Sequence, residues 1–164
     1  MPVILVGFDG IRERVGTHLG YSDWVELTQD RIDLFARASG DRQWIHIDAE
    51  RARAGPFGGT IAHGLLTLSM IGDLAKSVYR FSGFWMGVNY GYDRVRFPAP
   101  VLVGSRVRLG ATVESVEMIG ESVQTIMELV VEIEGAQKPG CVARMIFRHT
   151  PKGSSDRSMR AISK

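Results

Sequence analysis

Apolar and polar residues alternate along most of the second half of the chain. Between residues 123 and 133, apolar side chains and one threonine occupy the odd positions, whereas Gln124, Glu128 and Glu132 occupy even ones. A period of two places successive side chains on opposite faces of a β-strand. This patterning, with an aromatic-rich stretch before it, predicts four strands, near residues 84–97, 107–113, 123–133 and 141–148. Antiparallel connections are the simplest way to join such neighbours.

The first half of the chain carries helical signals instead. Thr28 is a favourable N-cap for a helix from about Gln29 to Ala38, and Gly40 is a favourable stop. From Ile61 to Val78 the pattern is again helical, and apolar residues leave little polar surface on any side. A helix that is apolar all round is a buried helix. The sequence therefore predicts an α+β domain, with an antiparallel sheet wrapped around one long central helix.

Several shorter elements are expected before the sheet. The alternation over Trp24–Leu27 predicts a short strand, and Ala49–Ala54 favours a short exposed helix. A first helix is expected around Ile11–Val15. Glycine and proline over Gly55–Gly59 interrupt both regular structures and predict a loop.

Length and composition favour one soluble domain. The 164 residues are 45% hydrophobic and 23% charged, as in ordinary globular proteins. We predict a single domain over residues 1–150 and a disordered polar tail over 151–164. The net charge of +2 is too small and too scattered to indicate a nucleic-acid partner.

Cysteine content and hydropathy bear on the compartment. Cys141 is the only cysteine, so no disulfide forms within the chain. The apolar N-terminus lacks a basic segment and is interrupted at Asp9, which argues against a signal peptide. No uncharged run approaches the roughly 18 apolar residues of a membrane span. We therefore expect a cytoplasmic protein without a membrane partner.

The candidate chemistry lies where the helix that begins at Gln29 stops. Asp41 and His46 lie five residues apart just past Gly40, and His63 and Gly64 open the long apolar segment. A carboxylate and an imidazole form an acid–base pair, and a helix start offers a free backbone N–H. Together these groups favour proton transfer beside an activated carbonyl.

In order and spacing, Gly40–Asp41, Ile45–Asp48 and Gly58–Gly64 resemble the MaoC-like, R-specific enoyl-CoA hydratases, also called hydratase 2. The likeness extends over roughly residues 20–150. It implies the hot-dog fold, in which a curled antiparallel sheet wraps a long helix, and it implies a homodimer. It also implies an enzyme of fatty-acid metabolism that acts on an acyl-CoA thioester.

The resemblance assigns roles to single residues. Asp41 and His46 match the catalytic pair of the family, and Gly64 matches the glycine whose backbone N–H faces the thioester oxygen. Many members of the family have asparagine and then proline where this chain has Gln43 and Trp44, and we expect these two residues to contact substrate. The implied reaction is reversible (R)-specific hydration of trans-2-enoyl-CoA to (R)-3-hydroxyacyl-CoA. The alternatives are a hot-dog acyl-CoA thioesterase and a non-catalytic acyl-CoA-binding partner subunit.

Other polar residues receive simpler interpretations. Asp48 is expected to cap the short helix after it, and His63 to anchor the start of the long helix. Because His46 and Asp48 do not make up a metal-ligand set, we expect no metal and no cofactor. His18 and His149 receive no role. Two groups stay open between ligand contact and packing or solvent exposure: the aromatic residues Trp44, Phe81, Phe84, Trp85 and Tyr90, and the arginines Arg94, Arg96, Arg106 and Arg108.

Overall fold

The computed structural model describes residues 1–152. Its elements follow in the order β1 (Val3–Val6), α1 (Gly7–Arg12), β2 (His18–Tyr21), β3 (Val25–Glu26), α2 (Gln29–Ser39), α3 (Trp44–Ile47), α4 (Ala49–Arg53), α5 (Gly64–Ser69), α6 (Ile71–Val78), β4 (Tyr79–Ser82), β5 (Phe84–Arg96), β6 (Arg106–Ile119), β7 (Ser122–Ile133) and β8 (Cys141–Pro151). Pro151 closes β8, and most of the predicted tail, from residue 153 onward, lies outside the described residues.

The main sheet is antiparallel and runs in the order β2-β6-β7-β8-β5, with β3 also beside β6. The four strands predicted from the alternating pattern are its four long strands. Met127 of β7 lies opposite Val113 on one side and Met145 on the other. Met127, Leu129 and their odd-numbered neighbours in β7 are buried, which confirms the inward face that the pattern predicted.

Helices α5 and α6 pack on this apolar face and are joined at Met70, which keeps helical dihedral angles. Leu66, Met70 and Leu74 are buried against the sheet. The predicted α+β architecture is thereby confirmed. The predicted helix began too early, however, because Ile61 instead forms an isolated antiparallel bridge with Leu102.

The expectation that this helix is buried on every side was wrong. Leu65 is 62% exposed, and Ser69, Gly72 and Lys76 are exposed on the same side. Their spacing of three or four residues places them along one helix face. The helix therefore has one buried face and one face open to a groove.

The N-terminal region also differs from its prediction. The first helix is Gly7–Arg12 rather than 11–15, because Val15 forms a bridge with Val113 of β6. β1 was not predicted, and it pairs in parallel with β4 in a separate two-stranded sheet. Leu5 and Ile11 are fully buried, so this segment belongs to the core.

The segment that leads to the site follows its prediction closely. The Thr28 hydroxyl caps α2 by accepting the Arg31 N–H at 3.4 Å, and Gly40 ends the helix with φ at +79°. A left-handed residue at this position is a common C-terminal stop, and glycine adopts it without strain. Of the short strand predicted over Trp24–Leu27, only Val25–Glu26 is a strand, and it forms β3. Among the described residues, no helix is long and apolar enough to cross a membrane.

Candidate active site

Asp41 lies in the short loop between α2 and α3. Its backbone N–H donates to the Ser39 hydroxyl at 3.3 Å, and its carboxylate accepts the Gln43 N–H at the same distance. An aspartate that accepts an N–H two residues ahead is typical of a turn. The side chain is nevertheless exposed, so the carboxylate keeps lone pairs for another partner.

His46 lies in α3 and is 6% exposed. Its Nδ1 is 2.7 Å from the carbonyl oxygen of Ile61. Since a carbonyl only accepts, Nδ1 carries the hydrogen, and the neutral ring presents Nε2 as an acceptor. Gln29 at the start of α2 holds the same segment by donating its amide to the His46 carbonyl at 2.8 Å.

His63 connects the two predicted catalytic residues. Its ring stacks on that of His46 with centroids 3.7 Å apart and an interplanar angle of 23°. Its Nε2 is 2.9 Å from the backbone carbonyl of Asp41 and therefore donates to it. Its Nδ1 is buried and has no hydrogen-bond partner. His63, the N-cap residue of α5, thus also anchors the Asp41 loop, a contact that the sequence had not indicated.

These three residues converge on one point. One ring nitrogen of His46, one of His63 and a carboxylate oxygen of Asp41 all lie within 4.8 Å of one another. Atoms at that separation can share a single water molecule at ordinary hydrogen-bond lengths of about 2.8 Å. The arrangement therefore suits activation of a water.

The same three side chains form a poor metal site. A bound cation lies close to the plane of each histidine ring, about 2.0–2.1 Å from the nitrogen. The stacked rings of His46 and His63 are tilted by only 23°, so their planes meet far beyond that distance. A cation at coordination distance from both nitrogens would therefore lie well out of the plane of at least one ring.

Gly64 is the first residue of α5, directly after His63. Within the described residues its N–H has no hydrogen-bond acceptor, as expected for the first turn of a helix. A Cβ placed on Gly64 would lie 2.8 Å from the ring of Phe97. The ring therefore requires glycine at the position where the free N–H is presented.

An apolar groove of about 960 Å³ is lined by Leu65, the residue after Gly64, but not by Gly64, His46 or Asp41 themselves. It runs from Leu65 along the exposed face of α5 and α6 to β4, β5 and the end of β8. Phe81, Phe84 and Trp85 line the groove. They belong to the aromatic residues whose role the sequence left open between ligand contact and packing. A groove of this size and apolar lining suits a small-molecule ligand.

Two buried polar residues in the groove were missed by the sequence analysis. Tyr79 is 5% exposed and His149 is 2% exposed, and both line the groove. Burial raises the pKa of Tyr79 far above its ordinary value and lowers the pKa of His149 to about 4. His149 extends the odd-numbered inward positions of β8, so the period-two pattern already placed it inside.

Other predicted ligand contacts lie away from the groove. Trp44 packs against Gly55 and beneath the Arg51 guanidinium, 4.5 Å from its ring, and Gln43 is exposed at the start of α3. The substrate roles of Gln43 and Trp44 stay predictions. Arg106 and Arg108 form ion pairs with Glu134 and Glu132, and the Tyr90 ring lies under the Arg148 guanidinium. Asp48 caps α4 by accepting the Arg51 N–H at 3.0 Å, as predicted.

Known proteins similar in sequence point to one family. The family model described as MaoC like domain matches residues 11–136. The 3-hydroxyacyl-thioester dehydratase Z of Mycobacterium tuberculosis strain H37Rv is 51% identical over 135 residues, which cover 82% of this chain and 89% of that protein. Nodulation protein N of Rhizobium leguminosarum bv. viciae is 45% identical over 144 residues, which cover 83% and 86%.

A solved structure supports the fold. R-hydratase PhaJ1 from Pseudomonas aeruginosa, in the unliganded form, superposes with a TM-score of 0.65 at 23% identity and covers 84% of this chain and 83% of that one. Together with the sheet order and the packed helix, this confirms the hot-dog fold that the sequence motifs implied.

Proposed function

This chain belongs to the MaoC like domain family, and we propose that it is an R-specific hydratase of trans-2-enoyl-CoA thioesters. The reaction adds water to give the (R)-3-hydroxyacyl-CoA, and in reverse it is a dehydration. The family and the 51% identity to a 3-hydroxyacyl-thioester dehydratase support a hydro-lyase. The more specific proposal of an enoyl-CoA hydratase is supported by the proximity of Asp41 and His46, whose polar side-chain atoms lie within 4.8 Å of each other and can share one water molecule.

Asp41 and His46 together hold and activate the water. With Nδ1 committed to the Ile61 carbonyl, the Nε2 lone pair of His46 is free to take a proton from the attacking water. The Asp41 carboxylate orients the water and stabilises the proton on the imidazole. The water oxygen bonds to C3 of the enoyl group as His46 takes one of its protons, and the C2–C3 π electrons shift toward the thioester oxygen to give an enolate. The enolate then collapses as the proton held by His46 is transferred to C2, which leaves His46 neutral for the next turnover.

Negative charge develops on the thioester oxygen during this attack. The free N–H of Gly64 lies one residue from the ring that stacks on His46, and it is available to that oxygen. The loss of one such donor typically costs about 2.7–4 kcal/mol of transition-state stabilisation. The groove that starts at Leu65 would then receive the acyl chain.

A homodimer is part of the proposal. β5 is a 13-residue strand at the edge of the main sheet, and Trp85, Val88 and Tyr90 on it are exposed. A long, apolar edge strand is a favourable site for pairing with a second chain. An isologous pairing of two β5 strands would also cover part of the groove, because Trp85 and Met86 line it.

The test uses crotonyl-CoA and follows the enoyl absorbance and free thiol together. We expect absorbance to fall without thiol release, and Asp41→Asn and His46→Gln to lower kcat by at least about a hundredfold. Asp48→Asn is the matched control. Asparagine caps a helix as effectively as aspartate, so this substitution should preserve α4 and leave the site unchanged. Activity that survives in both site variants would refute the assigned roles.

The rival activities give different results in the same assay. Thiol release without hydration identifies a thioesterase, and binding without either reaction identifies a non-catalytic partner subunit. The only thiol of the chain is a poor candidate for a thioesterase nucleophile. Cys141 is fully buried in β8, and burial raises the pKa of its thiol to about 11, so the thiol stays protonated near neutral pH.

A further inference from the structure

The amide of Gln29 joins two segments that are far apart in the sequence. Its Nε2 donates to the backbone carbonyl of His46 at 2.8 Å, and its Oε1 accepts the Thr60 hydroxyl at 2.6 Å. Gln29 begins α2, His46 lies in α3, and Thr60 lies in the segment that leads to α5. One side chain at the start of α2 therefore holds both of the other segments.

Both segments take part in holding the proposed catalytic base. Thr60 directly precedes Ile61, whose carbonyl oxygen lies 2.7 Å from the Nδ1 of His46. Gln29 thus binds the residue that carries the donor nitrogen, and it also binds the neighbour of the residue that supplies the acceptor. A change in the spacing of the two segments would therefore change this hydrogen bond.

The orientation of the Gln29 amide is fixed by its partners. Nε2 has two hydrogens, and the second is donated to the Asp33 carboxylate at 2.8 Å, one turn further along α2. The Asp33 carboxylate and the His46 carbonyl only accept, so a rotated amide would direct its oxygen at two acceptors. Oε1 is left to face Thr60, which is 2% exposed. Without this acceptor the buried hydroxyl would be unpaired, which is costly.

The bond between His46 and Ile61 determines which ring nitrogen can act as a base. A neutral imidazole carries one hydrogen, and a hydrogen on Nδ1 leaves a lone pair on Nε2. If Nδ1 lost the Ile61 carbonyl, the hydrogen could move to Nε2, which would then be unable to accept a proton. The tautomer of His46 thus depends on the spacing that Gln29 and Thr60 maintain.

We propose that Gln29 and Thr60 are positioning residues for the hydration reaction. They hold His46 and the Ile61 carbonyl at the spacing that keeps the hydrogen on Nδ1 and the lone pair on Nε2. The inference rests on the proposed function, since it takes His46 as the base. A backbone bond from the Ile61 N–H to the Ile45 carbonyl, at 3.0 Å, joins the same two segments. If that bond alone fixed the spacing, removal of the side-chain contacts would leave His46 unchanged.

NMR of the histidine rings in the ligand-free protein tests the inference without turnover. The nitrogen chemical shifts of a ring report which nitrogen carries the hydrogen, and His46→Gln assigns the His46 signals by their loss. We expect the Nδ1–H form in wild-type protein at mildly alkaline pH, where imidazoles are ordinarily neutral. Thr60→Val and Gln29→Leu should each move these signals toward the Nε2–H form.

Kinetics with crotonyl-CoA test the consequence for the base. Thr60→Val and Gln29→Leu should each lower kcat about tenfold and change KM by less than about twofold, because they displace a catalytic group and remove no ligand contact. Thr60→Ser keeps the hydroxyl and should restore kcat to near the wild-type value. The double variant should be about as slow as the slower single variant, since either change removes the same connection.

Matched controls separate this effect from a general loss of stability. Thr125→Val removes a hydroxyl that is as buried as that of Thr60, and Gln124→Leu removes an amide that likewise bonds two other side chains. Both should leave kcat and the His46 ring signals unchanged, even if they lower the melting temperature. Thr60→Val, which removes a hydroxyl and keeps the shape of the side chain, decides the outcome if Gln29→Leu does not fold.

Three results have distinct meanings. An unchanged Nδ1–H form or an unchanged kcat in Thr60→Val and Gln29→Leu would overturn the inference and show that the backbone bond of Ile61 suffices. Losses of kcat that multiply in the double variant would also overturn it, since the two residues would then act separately. If wild-type protein does not hydrate crotonyl-CoA but the ring signals respond as expected, the proposed function alone is refuted.

Discussion

The ring of His63 stacks on the ring of His46 at a centroid distance of 3.7 Å, while its edge donates to the backbone carbonyl of Asp41. One side chain therefore fixes both residues of the proposed acid–base pair. It does so from the position directly before Gly64, which presents the N–H for the thioester oxygen. The loop, the short helix α3 and the start of α5 are thus held together by one imidazole.

Substitution of His63 is expected to lower catalysis more than stability. His63→Phe keeps a flat ring against His46, removes the bond to Asp41 and also removes the unpaired Nδ1. A misplacement on the order of 1 Å can lower a rate about a hundredfold, so we expect kcat to fall about ten- to a hundredfold with little change in KM. Steady-state kinetics and thermal unfolding measure the two effects. His18→Gln, at an exposed histidine, is the control.

Gly64→Ala is expected to damage fold and activity together. The added methyl would lie 2.8 Å from the Phe97 ring, and overpacking of this kind typically costs about 1–3 kcal/mol. The shift needed to relieve it would also move the free N–H. We expect a lower free energy of unfolding in denaturant titrations and a loss of kcat.

The same substitution at Gly72 supplies the contrast. A Cβ there meets no atom within 4 Å, and Gly72 lies inside α6 with ordinary helical geometry. Alanine is favoured over glycine in a helix by about 1 kcal/mol, so Gly72→Ala should stabilise the protein. If Gly64→Ala unfolds no more easily than Gly72→Ala, the close approach of Phe97 does not explain the glycine.

The sequence predicted those parts of the fold that follow from local chemistry. Thr28 and Gly40 define the ends of α2, and the alternation in β7 gives its buried face, because caps and period-two patterns act over a few residues. The pairing of β1 with β4 could not be predicted, since it joins segments more than seventy residues apart through backbone bonds that carry no side-chain pattern.

The candidate site shows the same contrast between features that a local sequence pattern predicts and contacts that only the folded structure reveals. Asp41, His46 and Gly64 were predicted as site residues because their order along the chain matches a family motif. The bond from His63 to the Asp41 carbonyl was not found, since a backbone acceptor leaves no trace in the residue types. The places of Tyr79 and His149 depend on how β4 and β8 meet the helix, and only the packed structure shows them in one groove.

Stability should depend on pH through His149. Its folded pKa of about 4 lies below its ordinary value of 6.5, because burial disfavours the charged ring. As the pH falls from about 6.5 to about 4, the unfolded chain binds a proton that the folded chain does not, so the free energy of unfolding decreases by up to about 3 kcal/mol. Above pH 6.5 this contribution is constant.

Denaturant titrations of wild type and His149→Phe at several pH values isolate this effect. Other groups titrate alike in both proteins, so the wild type should lose stability relative to the variant across the window from pH 6.5 to pH 4. A difference between the two proteins that does not change with pH would contradict the buried, neutral state of His149.

The edge strand β5 should determine the oligomeric state. Val88 is 38% exposed on the last strand of the main sheet, and a lysine there is a common natural device against edge pairing. We expect the protein to be a dimer by light scattering and Val88→Lys to shift it toward the monomer. Leu34→Lys, at a 58% exposed leucine on α2, places the same charge away from the edge strand, and this variant should stay dimeric.

Because Trp85 and Met86 line the groove, the monomeric variant should also bind long acyl-CoA more weakly. A dimer that persists in Val88→Lys would show that the chains associate through another surface.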